Sequence, residues 1–378
     1  MTPAMVEIAG HAAPRFGPVK DAFAANFAEG LELGARFTLV EAGEVVVDLM
    51  AGHADRKGQR AFDEQTLTPI FSSTKAIASL LMARLVDQGK LYYDQPVSVV
   101  WPEFAQEGKG AITVEQMLSH QAGLSGFLEP MDPAQWFEWD EICVKLAAMR
   151  PIWPPGTSSG YHPVTFGYLA GEVFKRVCGR TMGTALRDDL AKPFDLDIFI
   201  GLPESEFGRV ADLQRPSGLP DFGHLNDATR AAFLTPWATP GGRSGADWRK
   251  AEIPSVNGHA TAHSLARVMG ALANGGWLDG EDILSPALIA EASRERIRGP
   301  DLVLPFEMSW AAGFMRNESV TPWGPGIETF GHSGWGGSCL FADPVRKLGG
   351  AYVMNKQSTD LLGDRRPRRL IEAAYAGL

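Results

Sequence analysis

Cysteine is scarce in this chain of 378 residues, and long apolar runs are absent. The three cysteines, Cys143, Cys178 and Cys339, are odd in number and widely spaced, which excludes a disulfide framework and a Cys-x-x-C motif. We expect them to be buried apolar residues in a reducing compartment. No apolar stretch approaches the roughly 20 residues that cross a bilayer, so no transmembrane helix is predicted.

Positive charge is also in short supply. The 35 lysines and arginines are outnumbered by 45 aspartates and glutamates, for a net charge of −10. This balance argues against nucleic acid or an anionic membrane as a partner. Residues 1–7 lack the basic and apolar regions of a signal peptide. The sequence therefore predicts a cytoplasmic protein whose partner is a small molecule.

The composition that is present, 45% hydrophobic and 21% charged, is that of an ordinary globular protein. Near the start, an amphipathic helix is predicted over 18–30. A β-hairpin is predicted over 37–49, with Ala42-Gly43 at its turn. Between about 81 and 250, helical patterns dominate and are separated by long connections rich in proline and glycine.

One of those connections, residues 215–245, is too long and too aromatic for a plain linker, and we expect it to border a substrate cleft. From about residue 258, strand patterns return. This order predicts an α/β domain formed by 1–80 and 251–378, with a mainly helical domain, 81–250, inserted into it. The active site is expected in the cleft between the two domains.

The segment Phe71–Lys75 places a serine and a lysine three residues apart, where Thr68-Pro69 suggests the start of a helix. Ser72 and Lys75 would then lie on one face of that helix. A serine nucleophile needs a base within hydrogen-bond reach, and a desolvated lysine can serve as that base. Because a match of four residues is also a common polar helix start, this one requires partners elsewhere in the chain.

Two further stretches supply such partners. Tyr161 follows the rigid loop 154–160, which can hold the tyrosine hydroxyl in a cleft as a general acid or base. The alternative is a half-buried tyrosine that packs the loop. Residues 331–337, Gly-His-Ser-Gly-Trp-Gly-Gly, form either a strand that offers a backbone N–H to an oxyanion or a tight glycine-rich turn.

Two other patterns are set aside. Residues 156–160 match G-x-S-x-G with Ser158 as the nucleophile, but that elbow needs a preceding strand, which Trp153-Pro154-Pro155 does not favour. His259 and His263 are four residues apart but lack a third ligand, and they are expected near a helix start. We predict no metal and no cofactor.

Four motifs follow one another across nearly the whole chain: residues 71–75 (Phe-Ser-Ser-Thr-Lys), 118–124 (Leu-Ser-His-Gln-Ala-Gly-Leu), 155–161 (Pro-Gly-Thr to Tyr) and 331–334 (Gly-His-Ser-Gly). Their order resembles the serine β-lactamase and penicillin-binding-protein superfamily. Within it, the chain is most similar to the family VIII carboxylesterases, which are themselves similar to class C β-lactamases. The resemblance implies an antiparallel sheet flanked by helices plus a helical domain, in agreement with the α/β (α+β) pattern above.

The resemblance also implies roles for individual residues. Ser72 would be the acylated nucleophile. Lys75 and Tyr161 would form the base system that takes the serine proton and later activates water. The oxyanion hole of the family uses the N–H of the nucleophile and one N–H from the glycine-rich strand, which by position is the N–H of Trp335.

The chain departs from the superfamily pattern at two motifs. Lactamases and peptidases usually carry asparagine where this chain has Pro163, and Lys-Thr-Gly where it has His332-Ser333-Gly334. A histidine is mostly neutral near pH 7, so anion binding at this motif should be weaker. Either His332-Ser333-Gly334 or Trp335-Gly336-Gly337 is the working third motif.

These departures favour an esterase. We predict a serine hydrolase that cleaves short-chain carboxylic esters through an acyl-enzyme, with weak β-lactamase side activity. Besides Trp335, the substrate pocket is expected to include Phe127, Trp153, His162, Trp237 and Gly336. The alternatives are a β-lactamase or a D-alanyl-D-alanine peptidase-like amide hydrolase or acyltransferase on the same serine, and a non-catalytic binding protein on this fold.

Overall fold

The computed structural model describes residues 6–223, 225–241, 245–317 and 320–378. Its strands within these ranges are β1 (Ile8–Ala12), β2 (Gly34–Glu41), β3 (Glu44–Gly52), β4 (Thr68–Phe71), β5 (Ile198–Phe199), β6 (Gly258–Ala260), β7 (Trp277–Leu278), β8 (Glu281–Asp282), β9 (Ile297–Pro300), β10 (Glu307–Trp310), β11 (Met315–Arg316), β12 (Phe330–Ser333), β13 (Cys339–Asp343) and β14 (Leu348–Met354). Its helices are α1 (Gly17–Ala28), α2 (Thr74–Asp87), α3 (Val114–Leu118), α4 (Trp139–Ala148), α5 (Thr165–Cys178), α6 (Met182–Leu186), α7 (Asp227–Thr229), α8 (Ala246–Lys250), α9 (Ala262–Ala273), α10 (Pro286–Ser293) and α11 (Arg365–Ala376).

A nine-stranded antiparallel sheet, in the order β1-β3-β2-β14-β13-β12-β11-β10-β9, forms the centre of the molecule. The predicted hairpin is confirmed as β2 and β3. Its turn residues Ala42 and Gly43 have φ values of 49° and 93°, the left-handed conformations that a tight two-residue hairpin turn requires. The mixed fold of helices and antiparallel sheet predicted from the sequence is therefore confirmed.

Both faces of this sheet are covered, which explains why its central strands are almost uniformly apolar. Side chains alternate along a strand, so Leu39 of β2 joins the core beneath α1 and α11 while Val40 joins the core beneath α2 and α9. Helix α9 approaches the sheet closely where Gly270 meets Gly349 of β14. A Cβ at Gly349 would lie 2.1 Å from the backbone nitrogen of Gly270, so neither chain segment has room for a side chain there.

A second, three-stranded sheet in the order β4-β6-β5 leads into α2. The sequence prediction that a helix starts at Thr68-Pro69 is wrong, since these residues belong to β4 and the helix begins at Thr74. Strand β4 lies at an edge of its sheet, where the missing N–H of Pro69 removes no ladder hydrogen bond. Ser72 thus follows a strand and precedes a helix.

Residues 81–250 contain the end of α2, helices α3 to α8 and, within the described part of that range, the short strand β5. One hydrophobic core extends from α2 and α9 into this helical part. The division into domains at residues 80 and 250 stays a prediction. None of the helices in the described ranges is both long and apolar enough to cross a membrane.

Candidate active site

Ser72 occupies the sharp connection between β4 and α2. The residue before it, Phe71, is buried and has a φ of 46°, a left-handed conformation that is strained for a bulky side chain and costs on the order of 1–3 kcal/mol. The N–H of Ser73 donates to the carbonyl of Ile70 (3.1 Å), and the N–H of Lys75 donates to the carbonyl of Ser72 (3.0 Å). This turn leaves the Ser72 side chain partly exposed in a cavity.

Lys75 lies one turn further along and is fully buried. Its Nζ is 3.4 Å from Ser72 Oγ, and it donates to the backbone carbonyls of Pro163 (2.7 Å) and Ser255 (3.1 Å). No carboxylate pairs with it in the described ranges. Burial without a counter-charge holds the pKa of Lys75 well below its usual value, which favours a neutral amine.

Tyr161 lies on the other side of the Lys75 amine, and Nζ is 4.7 Å from the centre of the tyrosine ring. The Tyr161 hydroxyl lies near the Ser72 side chain. Burial is the main cause that raises the pKa of Tyr161, with a smaller contribution from the charge of Asp301, so the hydroxyl keeps its proton at neutral pH. The ring stacks on Trp310, with centroids 5.7 Å apart.

The loop that carries Tyr161 is fixed by a buried carboxylate. Asp301 Oδ1 accepts hydrogen bonds from the backbone N–H groups of Tyr161 (2.9 Å), Val303 (3.0 Å) and Leu304 (3.0 Å). Its Oδ2 accepts from Ser159 Oγ (2.9 Å) and Trp310 Nε1 (3.1 Å). Asp301 therefore determines the position of Tyr161 from outside the cavity, and no motif or spacing in the sequence indicated this carboxylate.

The glycine-rich stretch at the end of β12 packs directly against the turn before Ser72. Ser338 Oγ donates to the carbonyl of Ile70 (2.9 Å), and the N–H of Gly334 donates to the carbonyl of Ser338 (2.7 Å). Gly334 must lack a side chain, because a Cβ there would lie 2.2 Å from the oxygen of Ile70. This contact places Trp335 beside Ser72, and both residues line the same cavity.

The backbone N–H groups of Ser72 and Trp335 share one property. Within the described part of the chain, neither donates a hydrogen bond to any acceptor. Two such donors beside a nucleophile can bind an oxyanion.

A buried cluster of charged residues binds the backbone of Gly336, the residue after Trp335. Arg366 donates from Nη2 to the carbonyl of Gly336 and to Asp364 Oδ2, each at 2.7 Å. Glu32 accepts from Arg366 Nη1 (3.3 Å) and from the hydroxyl of Tyr352. Burial raises the pKa of Glu32 to about 7. We name Glu32, Asp364 and Arg366 the Arg366 cluster.

Two cavities meet at Ser72. The larger has a volume of about 720 Å³ and extends along β4 and the segment 210–222. The smaller, about 40 Å³, is enclosed by Tyr161, His332, Trp310 and residues 360–362. Phe233 and Trp335 contribute to the lining of both cavities. The two cavities can therefore bind, at Ser72, a substrate with one small and one large group.

A family model described as Beta-lactamase matches residues 23–375 of this sequence. The chain belongs to the β-lactamase family. It is 34% identical over 368 residues to the esterase/beta-lactamase LipL of Mycobacterium tuberculosis, a match that covers 93% of this chain and 84% of LipL. It is a serine hydrolase of the β-lactamase and penicillin-binding-protein superfamily with esterase relatives.

Two crystal structures of similar proteins extend the comparison. A penicillin-binding protein homologue from Caulobacter crescentus shares 63% identity and a TM-score of 0.97, covering 98% of this chain and 100% of its own. A family VIII carboxylesterase shares 44% identity and a TM-score of 0.93, with coverage of 98% and 100%. The resemblance to family VIII carboxylesterases inferred from the motifs is thus confirmed.

In this β-lactamase-family protein, the two candidates for the third motif, residues 332–334 and 335–337, begin at different positions in the site. His332 is buried, lines the smaller cavity, and donates from Nδ1 to the carbonyl of Ser333 (2.8 Å). Burial, more than the nearby Lys75, lowers the pKa of His332 to about 3, so the ring is neutral at pH 7. Trp335 lies at the junction of both cavities.

His162 lies beneath the site without lining either cavity. Its Nε2 accepts from the N–H of Leu124 (3.0 Å), and its Nδ1 lies 2.6 Å from the carbonyl of Gly160. The N–H of His162 donates to His120 Nδ1 (3.2 Å). This pairing explains the motif at 118–124, which fixes the backbone on both sides of Tyr161.

Three aromatic residues expected in the substrate pocket lie outside the lining of both cavities. Their indole N–H groups or rings contact other residues of the protein instead. Trp237 Nε1 donates to the carbonyl of Phe127 (2.9 Å), the Phe127 ring packs on Trp136, and Trp153 Nε1 donates to the carbonyl of Ser158 (3.1 Å). The aromatic wall is instead formed by Phe222, Phe233 and Trp335.

The segment 215–245 was predicted to border the cleft, and several of its described residues line the larger cavity. Phe222 and Phe233 belong to this segment. The density of aromatic and proline residues was the available signal, but it did not indicate which of them faces Ser72. His224 and residues 242–244 lie outside the described residues.

The two patterns set aside in the sequence do not form the sites they suggest. Residues 151–164 contain no strand, and Ser158 lines neither cavity. His259 lies in β6, while His263 lies in α9 with Nδ1 3.2 Å from Asp48 Oδ2. Among the described residues, no group of three or more His, Cys, Asp and Glu side chains is placed to hold a metal ion.

Proposed function

We propose that this protein hydrolyses carboxylic esters through an acyl-enzyme on Ser72. The observation that carries the proposal is the environment of Lys75. A neutral amine has two N–H donors and one lone pair. The carbonyls of Pro163 and Ser255 accept the two donors, so the lone pair is directed to the remaining neighbour, Ser72 Oγ. Lys75 is therefore arranged as a base rather than as an ion-pair partner.

The reaction then proceeds in two halves. In the first, Ser72 Oγ attacks the ester carbonyl as its proton passes to Lys75 Nζ, and the alcohol leaves after it receives a proton from the Lys75 and Tyr161 pair. In the second, a water molecule gives a proton to the same pair and attacks the acyl-enzyme. The carboxylic acid is released, and Ser72 regains its proton.

Lys75 and Tyr161 have different roles in these proton transfers. Because its pKa is lowered, Lys75 is the group that accepts a proton at neutral pH. Because its pKa is raised, Tyr161 is a phenol and relays a proton by its hydroxyl. The N–H groups of Ser72 and Trp335 are the proposed oxyanion donors, since each is free of an acceptor in the described chain.

The size of the cavities supports short acyl groups. The smaller cavity, about 40 Å³, has room for only a few non-hydrogen atoms beside Tyr161 and His332. The larger cavity then receives the alcohol part. A neutral His332 in place of a lysine offers no permanent charge to the carboxylate of a β-lactam, so we propose β-lactam hydrolysis as a side activity only.

The test compares three proteins with p-nitrophenyl acetate and nitrocefin. Wild type and Ser158→Ala should turn over the ester, and Ser72→Ala should lose at least a thousand-fold in kcat, as removal of a nucleophile does. An active Ser72→Ala would disprove the proposed nucleophile. A kcat/KM for nitrocefin far above that for any ester would replace esterase by β-lactamase. The cytoplasmic location stays a prediction.

A further inference from the structure

The larger cavity has an unusual charge for an acidic protein. Four charged residues line it within the described chain, and three of them are the arginines Arg56, Arg215 and Arg249; the fourth is Asp212. The whole chain carries a net charge of −10. A positive concave wall in such a molecule concentrates anions at the site.

Arg249 is the most deeply placed of the three arginines. It is half-buried, follows the buried Trp248 in α8, and has no carboxylate within 4.0 Å in the described ranges. Its guanidinium lies 5.1 Å from the centre of the Phe207 ring. The charge of Asp212, on the same cavity wall, acts on it favourably, and that of Arg60 acts as a smaller like charge. A half-buried guanidinium that no carboxylate contacts directly favours an incoming anion.

His259 of β6 is the second, independent observation at this wall. It is completely buried and lines the cavity. Neither ring nitrogen makes a well-formed hydrogen bond within the described chain. Burial, followed by the charge of Arg249, lowers the pKa of His259 to about 4 against a smaller opposing effect of the Asn257 backbone, so the ring is neutral. Buried imidazole nitrogens normally have partners. The His259 ring belongs to the cavity wall that also carries Arg249.

We infer that the wall formed by Arg249 and His259 is a carboxylate subsite, and that the preferred substrates are esters with a free carboxylate on their larger part. This inference rests on the proposed function. Arg249 binds the carboxylate by charge-assisted hydrogen bonds, and the buried ring of His259 forms the wall beside it. Arg56 and Arg215, both exposed, attract the anion to the cavity mouth.

Two matched pairs of esters test the inference. Because the larger cavity is assigned to the alcohol part, the carboxylate should be recognised on the alcohol side, and an acyl-side pair tests the reverse assignment. On the alcohol side, 4-acetoxybenzoate is compared with 4-acetoxybenzamide. On the acyl side, the mono-p-nitrophenyl ester of glutaric acid is compared with the p-nitrophenyl ester of its monoamide. The readout in each pair is the ratio of kcat/KM for the carboxylate over that for the amide.

In the alcohol-side pair, wild type should prefer the carboxylate, and Arg249→Gln should lower the ratio by about 10–100-fold, the usual effect of a hydrogen bond to a charged group. An effect in the acyl-side pair alone would keep the subsite but reverse the assignment of the two cavities. Arg249→Lys, which keeps the charge but not the forked donor geometry, should give an intermediate ratio. Arg150→Gln is the matched control, since Arg150 is exposed and lines neither cavity. If Arg249→Gln leaves the ratio unchanged in both pairs, the inference is overturned.

A binding measurement separates this inference from the proposed chemistry. Calorimetric titration of Ser72→Ala with 4-acetoxybenzoate and with the glutarate monoester needs no turnover. If either anion binds saturably and Arg249→Gln weakens that binding, the subsite is supported even if wild type hydrolyses none of the esters. No preference of the Ser72→Ala protein for either anion over its amide would overturn the subsite even if esters are hydrolysed.

Discussion

Replacement of Asp301 by asparagine should both destabilise the protein and displace Tyr161. The carboxylate accepts five hydrogen bonds, three from backbone N–H groups at Oδ1 and two from side chains at Oδ2. An asparagine can keep its oxygen toward the backbone groups. Its NH₂ group then faces the indole N–H of Trp310, and two donors oppose each other in a buried site.

The size of the effect follows from these contacts. A buried donor left unsatisfied costs about 1–3 kcal/mol, and hydrogen bonds to a charged acceptor exceed neutral ones by about 1 kcal/mol each. One unsatisfied Trp310 N–H and several weakened bonds give a loss of about 3–5 kcal/mol in the free energy of unfolding of Asp301→Asn. We expect kcat for p-nitrophenyl acetate to fall at least ten-fold, because the N–H of Tyr161 is one of the bonds weakened.

Urea unfolding and steady-state kinetics at a temperature where both proteins are folded measure the two effects. The double variant Asp301→Asn with Trp310→Phe removes the opposing N–H and serves as a control. It should be more stable than expected from the two single variants added together, by about 1–3 kcal/mol. A loss below 1 kcal/mol in Asp301→Asn, or strict additivity in the double variant, would refute this account of the site.

Three further predictions concern the pH dependence of catalysis, the buried acid Glu32 and the close contact at Gly334. The kcat/KM for p-nitrophenyl acetate between pH 4 and pH 9 should fall steeply on the acid side, because only neutral Lys75 accepts a proton. Glu32 has a pKa of about 7 in the folded protein against 4.5 normally, so its stabilising effect is complete below about pH 4.5 and is lost as the pH rises to 7. Glu32→Gln should remove up to about 3 kcal/mol of that pH dependence, at 1.4 kcal/mol per pH unit, in urea unfolding at pH 5 and pH 8. Gly334→Ala places a Cβ 2.2 Å from the oxygen of Ile70 and should lower kcat at least ten-fold, whereas Gly208→Ala, with no atom within 4 Å of its Cβ, should leave kcat unchanged.

Each of these predictions has an outcome that contradicts it. A flat profile down to about pH 5 would mean that Lys75 is not the base. Equal pH dependence of unfolding in wild type and Glu32→Gln would mean that Glu32 is ionised in the folded protein. Full activity of Gly334→Ala would mean that the contact between β12 and the turn before Ser72 does not position the oxyanion donors.

The sequence predicted the sheet and the serine motif because both depend on short-range patterns. The β2–β3 hairpin follows from apolar strands around Ala42-Gly43, whose turn conformation is local. Ser72 and Lys75 are three residues apart, so their proximity holds in a helical turn. The start of the helix was misplaced, since Pro69 is compatible with both a first helical turn and an edge strand.

Contacts between distant segments were not predictable in the same way. Asp301 reaches Tyr161 across 140 residues, and Arg366 reaches Gly336 across 30 residues. No spacing rule relates these pairs. Phe127 and Trp237 were expected in the pocket for their aromatic character, but the backbone carbonyl of Phe127 holds the Trp237 indole in the core. Which face of a loop a side chain occupies depends on the packed structure.

The most direct test of the central claim, that Ser72 is the acylated nucleophile, is intact-mass spectrometry after treatment with a p-nitrophenyl phosphonate ester. Wild type and Ser158→Ala should each gain the mass of one phosphonyl group, and digestion should locate it on the peptide that contains Ser72. Ser72→Ala should gain none. A phosphonyl adduct on Ser72→Ala, or its loss in Ser158→Ala, would contradict the account.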